Sequence, residues 1–274
     1  MHASAGVITS RDNPHFKRLK KLAESARARR QSRTTLLDGP HLIEACVAAG
    51  GELLSVVRSE HAPQSVERFF AAAWPAARRL VLSEALFAAL APVASPSGVL
   101  AEAAWLHPRP PGGVPLLLLL EDIQDPGNLG SLLRSAAAAG ASAAVLSAGC
   151  ADPWSPKALR GGQGAQFFLP LEEVPDLAAW LAGQTLQSVA LSLQASVSLY
   201  DLDFAQPSAL LLGNEGAGLS PALQAAVQVR ARIPMPGRVE SLNVGAAAAA
   251  ALFEAVRQRG RVKPTAAQPP LPQR

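Results

Sequence analysis

The chain has 274 residues, 49% of them hydrophobic, which is enough to bury a substantial core and excludes extended disorder as its main state. Its first residues contain no apolar stretch of signal-peptide length, and the longest aliphatic run, 116–120, is too short to cross a bilayer, so we expect a cytoplasmic protein that does not bind membranes. Cys46 and Cys150 each lack a second Cys or His at metal-ligand spacing, so we expect two reduced core thiols and no metal site.

The net charge of +4 is concentrated near the N-terminus. Residues 11–33 contain nine Lys or Arg against Asp12 and Glu24, while the rest of the chain is slightly acidic. Such a run can be a solvated helix face. A basic charge with so little acidic compensation, however, favours binding to a polyanion such as a nucleic acid, because contacts with phosphate release condensed counterions. We therefore predict RNA binding by Lys17, Arg18, Lys20, Lys21, Arg27, Arg29 and Arg30.

This basic segment is predicted to be an amphipathic helix. Asn13 can cap it and Pro14 suits its first position, where a missing N–H costs nothing. Apolar residues then recur at helical spacing, which leaves most of the cations facing outward. Short apolar runs follow, TTLL, LLSVV, RLVL and GVLAEA, separated by helical stretches that begin near Pro40, Ala62 and Ser83. This alternation predicts an α/β unit.

Prolines and glycines between Trp105 and Pro115 exclude both a helix and a central strand, so we place a domain boundary there. The predicted division is a smaller α/β RNA-binding domain over 1–107, a second domain over 115–262, and a disordered proline-rich tail over 263–274.

The second half alternates strands and helices again. Strands are predicted at 116–121, 143–147, 187–193, 208–212 and 229–233, and helices at 129–139, 155–160, 175–182, 221–228 and 243–259. Fully apolar strands such as LLLLL are typical of a parallel sheet that is covered on both faces.

The first loop with chemical content is EDIQDPGNLGSLLRSA, residues 121–136. Asp125 to Gly127 are turn formers, and Asn128 can cap the helix that follows. Arg134 has no carboxylate at i−4 or i+4, so its guanidinium is free to meet a phosphate or a ribose, although it can also be an ordinary surface arginine.

The second loop, ALLLGNEGAGLSP over 209–221, leaves a buried strand through glycines that allow close approach to a flat ligand. Its spacing is not the G-x-G-x-x-G of dinucleotide-binding folds, which argues against an NAD-dependent enzyme. Glu215 stands just beyond the carboxyl end of that strand, where open α/β sheets bind ligands, although a solvated loop acid is the alternative.

The third loop lies in IPMPGRVESLNVGAAAAAALFEAV, residues 233–256, and leads into an alanine-rich helix. Ser241 or Asn243 can simply cap this helix. The small residues permit close packing, either inside the chain or at a dimer interface. No histidine accompanies the three loops, so they do not form a Ser-His-Asp set.

Taken together and in this order, DPGNLGSLLR, LLLGNEGAGLS and IPMPGRVESLNV resemble the three motifs of the SpoU or TrmH family of RNA ribose methyltransferases. The resemblance covers most of 116–259, and ITSRDNPHFKRLKKL followed by LLDGPHLIEA resembles the substrate-binding domain often fused to this family. It implies an α/β SPOUT-type parallel sheet with a C-terminal trefoil knot, S-adenosylmethionine as the methyl donor and a homodimer.

Carried over residue by residue, the resemblance implies a catalytic region formed by Asn128, Arg134, Glu215, Ser241 and Asn243. It places the methyl donor against Gly213, Ile233, Met235 and Leu242. One departure is Gly245, which stands where many relatives have serine.

The predicted reaction is methyl transfer to a ribose 2′-hydroxyl of rRNA or tRNA, two substrates between which the sequence does not choose. An arginine guanidinium is rarely neutral near pH 7 and is a poor base, so we assign Arg134 to the phosphate and the developing alkoxide. Glu215 or a bound water then accepts the proton. The alternative function is an RNA-binding protein of the same fold that has lost catalysis.

Overall fold

The computed structural model describes residues 6–72, 77–91, 97–239 and 241–260. The predicted disordered tail at 263–274 lies outside these residues. Within them, no helix is both long and apolar enough to span a membrane. The same residues hold no group of three or more His, Cys, Asp and Glu side chains placed to bind a metal ion.

The first half of the chain is a four-stranded mixed sheet with helices. Its elements are α1 (Pro14–Glu24), α2 (Ala26–Ser32), β1 (Thr34–Asp38), α3 (Pro40–Ala48), β2 (Leu53–Ser59), α4 (Gln64–Ala72), β3 (Arg78–Leu82), α5 (Glu84–Leu90) and β4 (Val99–Ala104). The strand order is β1-β4-β2-β3, with β4 antiparallel to both neighbours and β2 parallel to β3. The predicted α/β unit is confirmed.

The basic segment is two helices instead of the single one predicted. Asn13 caps α1 by accepting a hydrogen bond from the backbone N–H of His15 at 2.9 Å, as expected. The chain then breaks at Ser25, whose extended backbone ends α1 and whose hydroxyl accepts from the Ala28 N–H to start α2. Serine at a helix boundary competes for backbone hydrogen bonds, which is the physical reason for the break.

The second half is a seven-stranded sheet in which every pairing is parallel. Its elements are β5 (Leu116–Leu120), α6 (Pro126–Ala138), β6 (Ala143–Ser147), α7 (Pro156–Gly162), β7 (Leu171–Val174), α8 (Leu177–Ala182), β8 (Gln187–Leu191), β9 (Val197–Ser198), β10 (Ser208–Leu212), α9 (Pro221–Ala226), β11 (Val229–Arg232) and α10 (Val244–Gln258). The strand order is β7-β6-β5-β10-β8-β11-β9.

Both faces of this sheet are covered, as predicted. Along β5, Leu118 and Leu120 pack into a core shared with α6 and α10, whereas Leu119 packs on the opposite face with α8 and α9. The sequence missed the two edge strands, β7 and β9. Two glutamates in β7 leave it without a continuous apolar run, and β9 has only two residues.

Helix α7 joins the two halves of the chain. A Cβ at Gly130 of α6 would collide with the backbone of α7, so glycine there allows the two helices to cross closely. On its other side, Leu159 of α7 packs in a core cluster with Leu37 and Ile43 of the first half. Helix α6 is thus one helix away from the first sheet.

Polar contacts reinforce this junction. Arg29 of α2 is 4% exposed and its Nε donates to Asp152 at 2.6 Å, and the Thr35 hydroxyl donates to the carbonyl of Trp154 at 2.6 Å. Trp105 stacks on Trp154 with ring centroids 5.1 Å apart. No helix or strand lies between β4 and β5, which is where the domain boundary is predicted, and the division into domains stays a prediction.

Candidate active site

The three motif loops lie at one edge of the parallel sheet. They follow β5, β10 and β11, and the carboxyl ends of parallel strands face the same edge. Helix α10, which follows the third loop, packs against α6, which follows the first. A Cβ at Gly245 would lie only 3.2 Å from the Ser131 hydroxyl of α6. Glycine at this position, where many relatives have serine, therefore lets α10 pack closely against α6.

Two predicted catalytic residues from separate loops are in contact. The Asn128 side-chain amide donates to Glu215 Oε1 at 2.8 Å. Asn128 is free to do so because Asp125, and not Asn128 as the sequence suggested, caps α6: Asp125 Oδ1 accepts from the Asn128 backbone N–H at 2.8 Å. Lys157 donates to the other carboxylate oxygen, and mainly for this reason the pKa of Asp125 lies below its ordinary value.

Arg134 is exposed, and its side chain forms no hydrogen bond or ion pair with any residue that the structure describes. Asn128, Ser131 and Arg134 follow one another three residues apart, so they lie along one side of α6. Because Ser131 contacts Gly245, this side faces the start of α10. The Arg134 guanidinium therefore lies, without a partner among the described residues, on the side of α6 that faces the start of α10.

The second loop is a narrow, internally bonded turn. A side chain at Gly213 would collide with the backbone of Gly218, which explains the glycine requirement there. The Asn214 side chain accepts from the N–H groups of Gly216 and Ala217 at 2.9 and 3.0 Å and donates to the Asp122 carbonyl at 3.0 Å. Glu215 thus projects from a backbone that is held in place.

Glu121 is a site residue that the sequence reasoning missed. Its two carboxylate oxygens accept from the Ser220 hydroxyl and the Ser220 backbone N–H, both at 2.6 Å. Its own N–H donates to the Leu212 carbonyl at 2.9 Å. One residue therefore closes the second loop at both ends, and we call these three bonds the Glu121 clasp. The sequence did contain a signal for this residue. Glu121 is an acid directly after the buried strand β5, and Ser220 ends the loop that follows the neighbouring strand β10.

The residue after it, Asp122, has a φ of +54°, a left-handed conformation that is uncommon for a residue other than glycine. Ser147 holds this conformation, because its hydroxyl accepts from the Asp122 N–H at 2.9 Å and donates to Oδ1 at 2.7 Å. The turn lets the Glu121 side chain and the Asp122 carbonyl both face the second loop.

The third loop is open. Asn243 caps α10 by accepting from the Gly245 N–H at 2.9 Å, so the capping alternative is realised, while Ser241 is exposed. Ile233 and Met235 are half-buried and Leu242 is 40% exposed. Over 233–239 and 241–242, the structure shows no hydrogen bond to any other described residue. Unpaired backbone groups beside partly exposed apolar side chains suit a flat, heteroaromatic ligand such as a purine.

The predicted RNA-binding cations divide into three groups. Arg29 is buried against Asp152, so its assignment to RNA is corrected: it holds α2 to the second half of the chain. Lys21 and Arg27 are exposed, with no partner among the described residues. The remaining four have acidic partners, in the pairs Lys17–Asp12, Arg18–Glu102, Lys20–Glu24 and Arg30–Glu173.

Both cysteines are free. Burial raises the pKa of the Cys46 thiol to about 11, and burial is also the main cause of a raised pKa at Cys150. Cys150 Sγ donates to the Leu120 carbonyl. Neither thiol has the low pKa of a nucleophile.

Two family models match the chain. Residues 115–253 match the SpoU rRNA methylase family, and residues 13–101 match the MRM3-like substrate-binding domain. A Synechocystis protein described as an uncharacterized tRNA/rRNA methyltransferase is 36% identical, over 92% of this chain and 94% of its own length. The Bacillus subtilis 23S rRNA (guanosine(2553)-2′-O)-methyltransferase RlmP is 30% identical over 90% of this chain and 97% of its own.

Solved structures agree. An RNA 2′-O ribose methyltransferase superimposes with a TM-score of 0.78 at 34% identity, covering 93% of this chain and 99% of that chain. The SpoU methyltransferase AviRb from Streptomyces viridochromogenes, in complex with AdoMet, superimposes with a TM-score of 0.76 at 28% identity, covering 90% and 99%. Motifs, fold and full-length relatives coincide, and the chain belongs to the SpoU rRNA methylase family.

Proposed function

We propose that the protein transfers a methyl group from S-adenosylmethionine to a ribose 2′-hydroxyl of rRNA or tRNA. The observation that carries the proposal is the Asn128–Glu215 contact between two motif loops at the sheet edge that the third loop also borders, with Arg134 on the same side of α6 as Asn128. Relatives along nearly the whole chain are RNA 2′-O-methyltransferases by name, which supports the same chemistry here.

The donor binds, in this proposal, between the second and third loops. Gly213 brings the backbone close, while Ile233, Met235 and Leu242 supply apolar surface for the adenine and the unpaired backbone groups of the third loop supply its hydrogen bonds. When bound there, S-adenosylmethionine supplies a methyl group on a positively charged sulfur.

Arg134 binds the RNA. Its planar guanidinium can hold the phosphate next to the target ribose and stabilise negative charge that develops on the 2′-oxygen. The guanidinium does not take the proton, because a charged arginine side chain has donors only and no acceptor site for a proton.

Glu215 is the side chain we propose as proton acceptor, directly or through a water. Asn128 donates to one of its oxygens, which orients the carboxylate and leaves the other oxygen available. Ser241 and Asn243 stay predicted members of the site, on the open side of the third loop.

We further propose that the active form is a cytoplasmic homodimer that pairs through α10, with the trefoil knot that the family resemblance implies. Phe253 on α10 is 48% exposed and Val239 in the third loop is 65% exposed, so each leaves apolar surface that a partner subunit could cover. Sedimentation should give a dimer at micromolar concentration, and a Phe253→Asp variant should shift it to monomer. A monomeric wild-type protein would contradict the assembly.

The proposed reaction is tested with purified protein, tritiated S-adenosylmethionine, and rRNA and tRNA from cells that lack the gene. We expect label in one RNA class, at a linkage that resists alkaline hydrolysis, as a 2′-O-methyl group does. Calorimetry with S-adenosylmethionine tests the alternative function, an RNA-binding protein that has lost catalysis. Such a protein would bind RNA but would neither bind the cofactor nor transfer labelled methyl groups to the RNA.

A further inference from the structure

A cavity lined by polar side chains and by Leu19, Leu54 and Leu80 lies on the first half of the chain, under one end of α1. It has a volume of about 270 Å³ and is separate from the three motif loops. His15 and Arg18 of α1 form one side. The opposite side is a row of polar residues across three strands, in which Ser55 of β2 is in register with Glu102 of β4 and with Arg78 of β3.

This row interrupts an apolar face. Two residues further along the same strands, Leu100, Val57 and Leu80 stand on the same side and pack against α1 and α5. Three polar side chains at one register therefore make a polar end to an otherwise apolar layer. Apolar side chains at these positions would stabilise the fold more than the polar ones do. We therefore expect the polar row to serve a function such as ligand binding.

Glu102 forms the floor of the cavity and is 4% exposed. Arg18 donates through both Nε and Nη2 to its Oε1, with the Nε bond at 2.8 Å. The other oxygen, Oε2, has one long contact within the described residues, from the Ser55 hydroxyl at 3.5 Å. A buried carboxylate oxygen can accept two good hydrogen bonds, so the floor keeps unused acceptor capacity.

Arg78 stands at the mouth and is exposed. One of its nitrogens lies 2.7 Å from His15 Nε2, and its other guanidinium N–H groups have no partner in the part of the chain that the structure describes. The cavity thus combines hydrogen-bond donors with positive charge at its mouth and an acceptor at its floor.

We propose that this cavity binds one unpaired guanine nucleotide of the RNA substrate, at a distance from the ribose that is methylated. The inference rests on the proposed function. Guanine is the base whose N1–H and N2–H₂ donate to an acceptor such as Glu102 while O6 and N7 accept from an arginine. A phosphate does not fit the floor, because the buried carboxylate repels it.

The size agrees with a single base. About 270 Å³ is near the lower end of the range of roughly 300–1,000 Å³ that holds drug-sized ligands, which suits a single base. The nucleotide's phosphate remains at the mouth, where Arg78 and Arg18 are available.

The test measures binding of two fluorescent heptaribonucleotides, UUUGUUU and UUUUUUU, by anisotropy at low salt. We expect wild type to bind the guanine heptamer about tenfold more tightly, a typical discrimination for one well-paired base. Glu102→Gln should abolish this preference, because an amide there turns a donor toward the guanine N–H groups. Arg78→Ala should weaken binding of the guanine heptamer. Arg79→Ala, which removes the same charge from the other side of β3, should leave that binding unchanged.

Equal binding of both heptamers by wild type, or equal effects of Arg78→Ala and Arg79→Ala, would overturn the proposal. Arg78 is exposed, so its variant keeps the test valid even where Glu102→Gln fails to fold, which a thermal melt reports. The tritium-transfer assay on the same samples distinguishes the failures: absence of a guanine preference with methylation intact contradicts only the cavity, and a guanine preference without methylation contradicts only the proposed enzyme activity.

Discussion

At the scale of single residues, the proposed site includes Arg134, an exposed arginine whose side chain has no partner among the described residues. An exposed side chain without an ion pair contributes little to folding, so its substitution reports on RNA and not on stability. This separation makes Arg134 the most informative position in the catalytic region.

Arg134→Ala should lower single-turnover methylation by about 100-fold or more, since a charged transition-state contact is lost, with little change in affinity for S-adenosylmethionine. Arg134→Lys should recover little, because an ammonium lacks the planar donor pair. Single-turnover rates and cofactor calorimetry on the same preparation measure both effects.

Arg68→Ala is the matched control, because Arg68 is exposed on α4 and has no partner among the described residues. Near-normal turnover by Arg134→Ala would remove its catalytic role. An equal loss of cofactor affinity would move the residue to the donor site.

The Glu121 clasp is the second residue-scale feature. Glu121→Ala removes both bonds to Ser220 and so frees the far end of the loop that carries Gly213 and Glu215, while the backbone bond to the Leu212 carbonyl remains; cofactor affinity should fall about tenfold and turnover should fall with it. Glu121→Gln should recover part of the affinity, because its amide oxygen still accepts from the Ser220 N–H. Calorimetry and steady-state kinetics measure the two effects.

A double-mutant cycle with Ser220→Ala tests whether the effect acts through the clasp. The two substitutions should be strongly non-additive. Additive effects would mean that Glu121 acts elsewhere, and Glu44→Ala, an exposed acid on α3, controls for the change in charge.

At the scale of elements, α1 and α2 combine two roles. Phe16, Leu19 and Leu22 are buried and Arg29 ties α2 to the second half, so deletion of residues 1–33 would remove core as well as charge. Point substitution of the exposed cations is therefore the way to separate RNA binding from folding.

The double variant Lys21→Ala/Arg27→Ala should weaken RNA binding and reduce the slope of log K against log salt by about 2, one unit for each lost phosphate contact. Affinity for S-adenosylmethionine should not change. Binding titrations at several salt concentrations measure the slope. An unchanged slope, or an equal change in the control Arg68→Ala/Arg109→Ala, would show that this face does not bind RNA.

At the scale of the whole molecule, the two sheets share a core through α7 and a buried ion pair between Arg29 and Asp152. Arg29 also donates to the Leu22 carbonyl at 2.6 Å, so its guanidinium is held from both sides. A buried ion pair of this kind stabilises the contact between the two halves, because removal of either partner leaves an uncompensated charge in an apolar junction.

Asp152→Ala should therefore lower the free energy of unfolding by about 3–5 kcal/mol, since it leaves the Arg29 guanidinium buried without its partner. Urea unfolding followed by tryptophan fluorescence and by circular dichroism measures this, and Trp105 and Trp154 lie at the junction. Asp12→Ala, which breaks an exposed pair with Lys17, should have no measurable effect. A comparable effect of both variants would contradict the structural role of the buried pair.

The sequence by itself determined the features that neighbouring residues encode. Apolar runs identified the central strands, the Asn13 cap was read from local turn chemistry, and three ordered motifs identified the family. These features could be predicted because helix periodicity, strand hydrophobicity and capping depend on residues a few positions apart. The polar edge strands β7 and β9 were missed because their pairing comes from the rest of the sheet.

Only the tertiary structure decided the partnerships across the chain. Asn128 meets Glu215 across 87 positions, Glu121 meets Ser220 across 99, and Arg29 meets Asp152 across 123. A basic residue in a charged run has the same local sequence signal whether it faces RNA or a buried carboxylate. Strand order and helix packing decide which of these two outcomes occurs, because they determine which distant groups are buried together. Groups that lose their water in this way must then pair with each other's charges and hydrogen-bonding atoms.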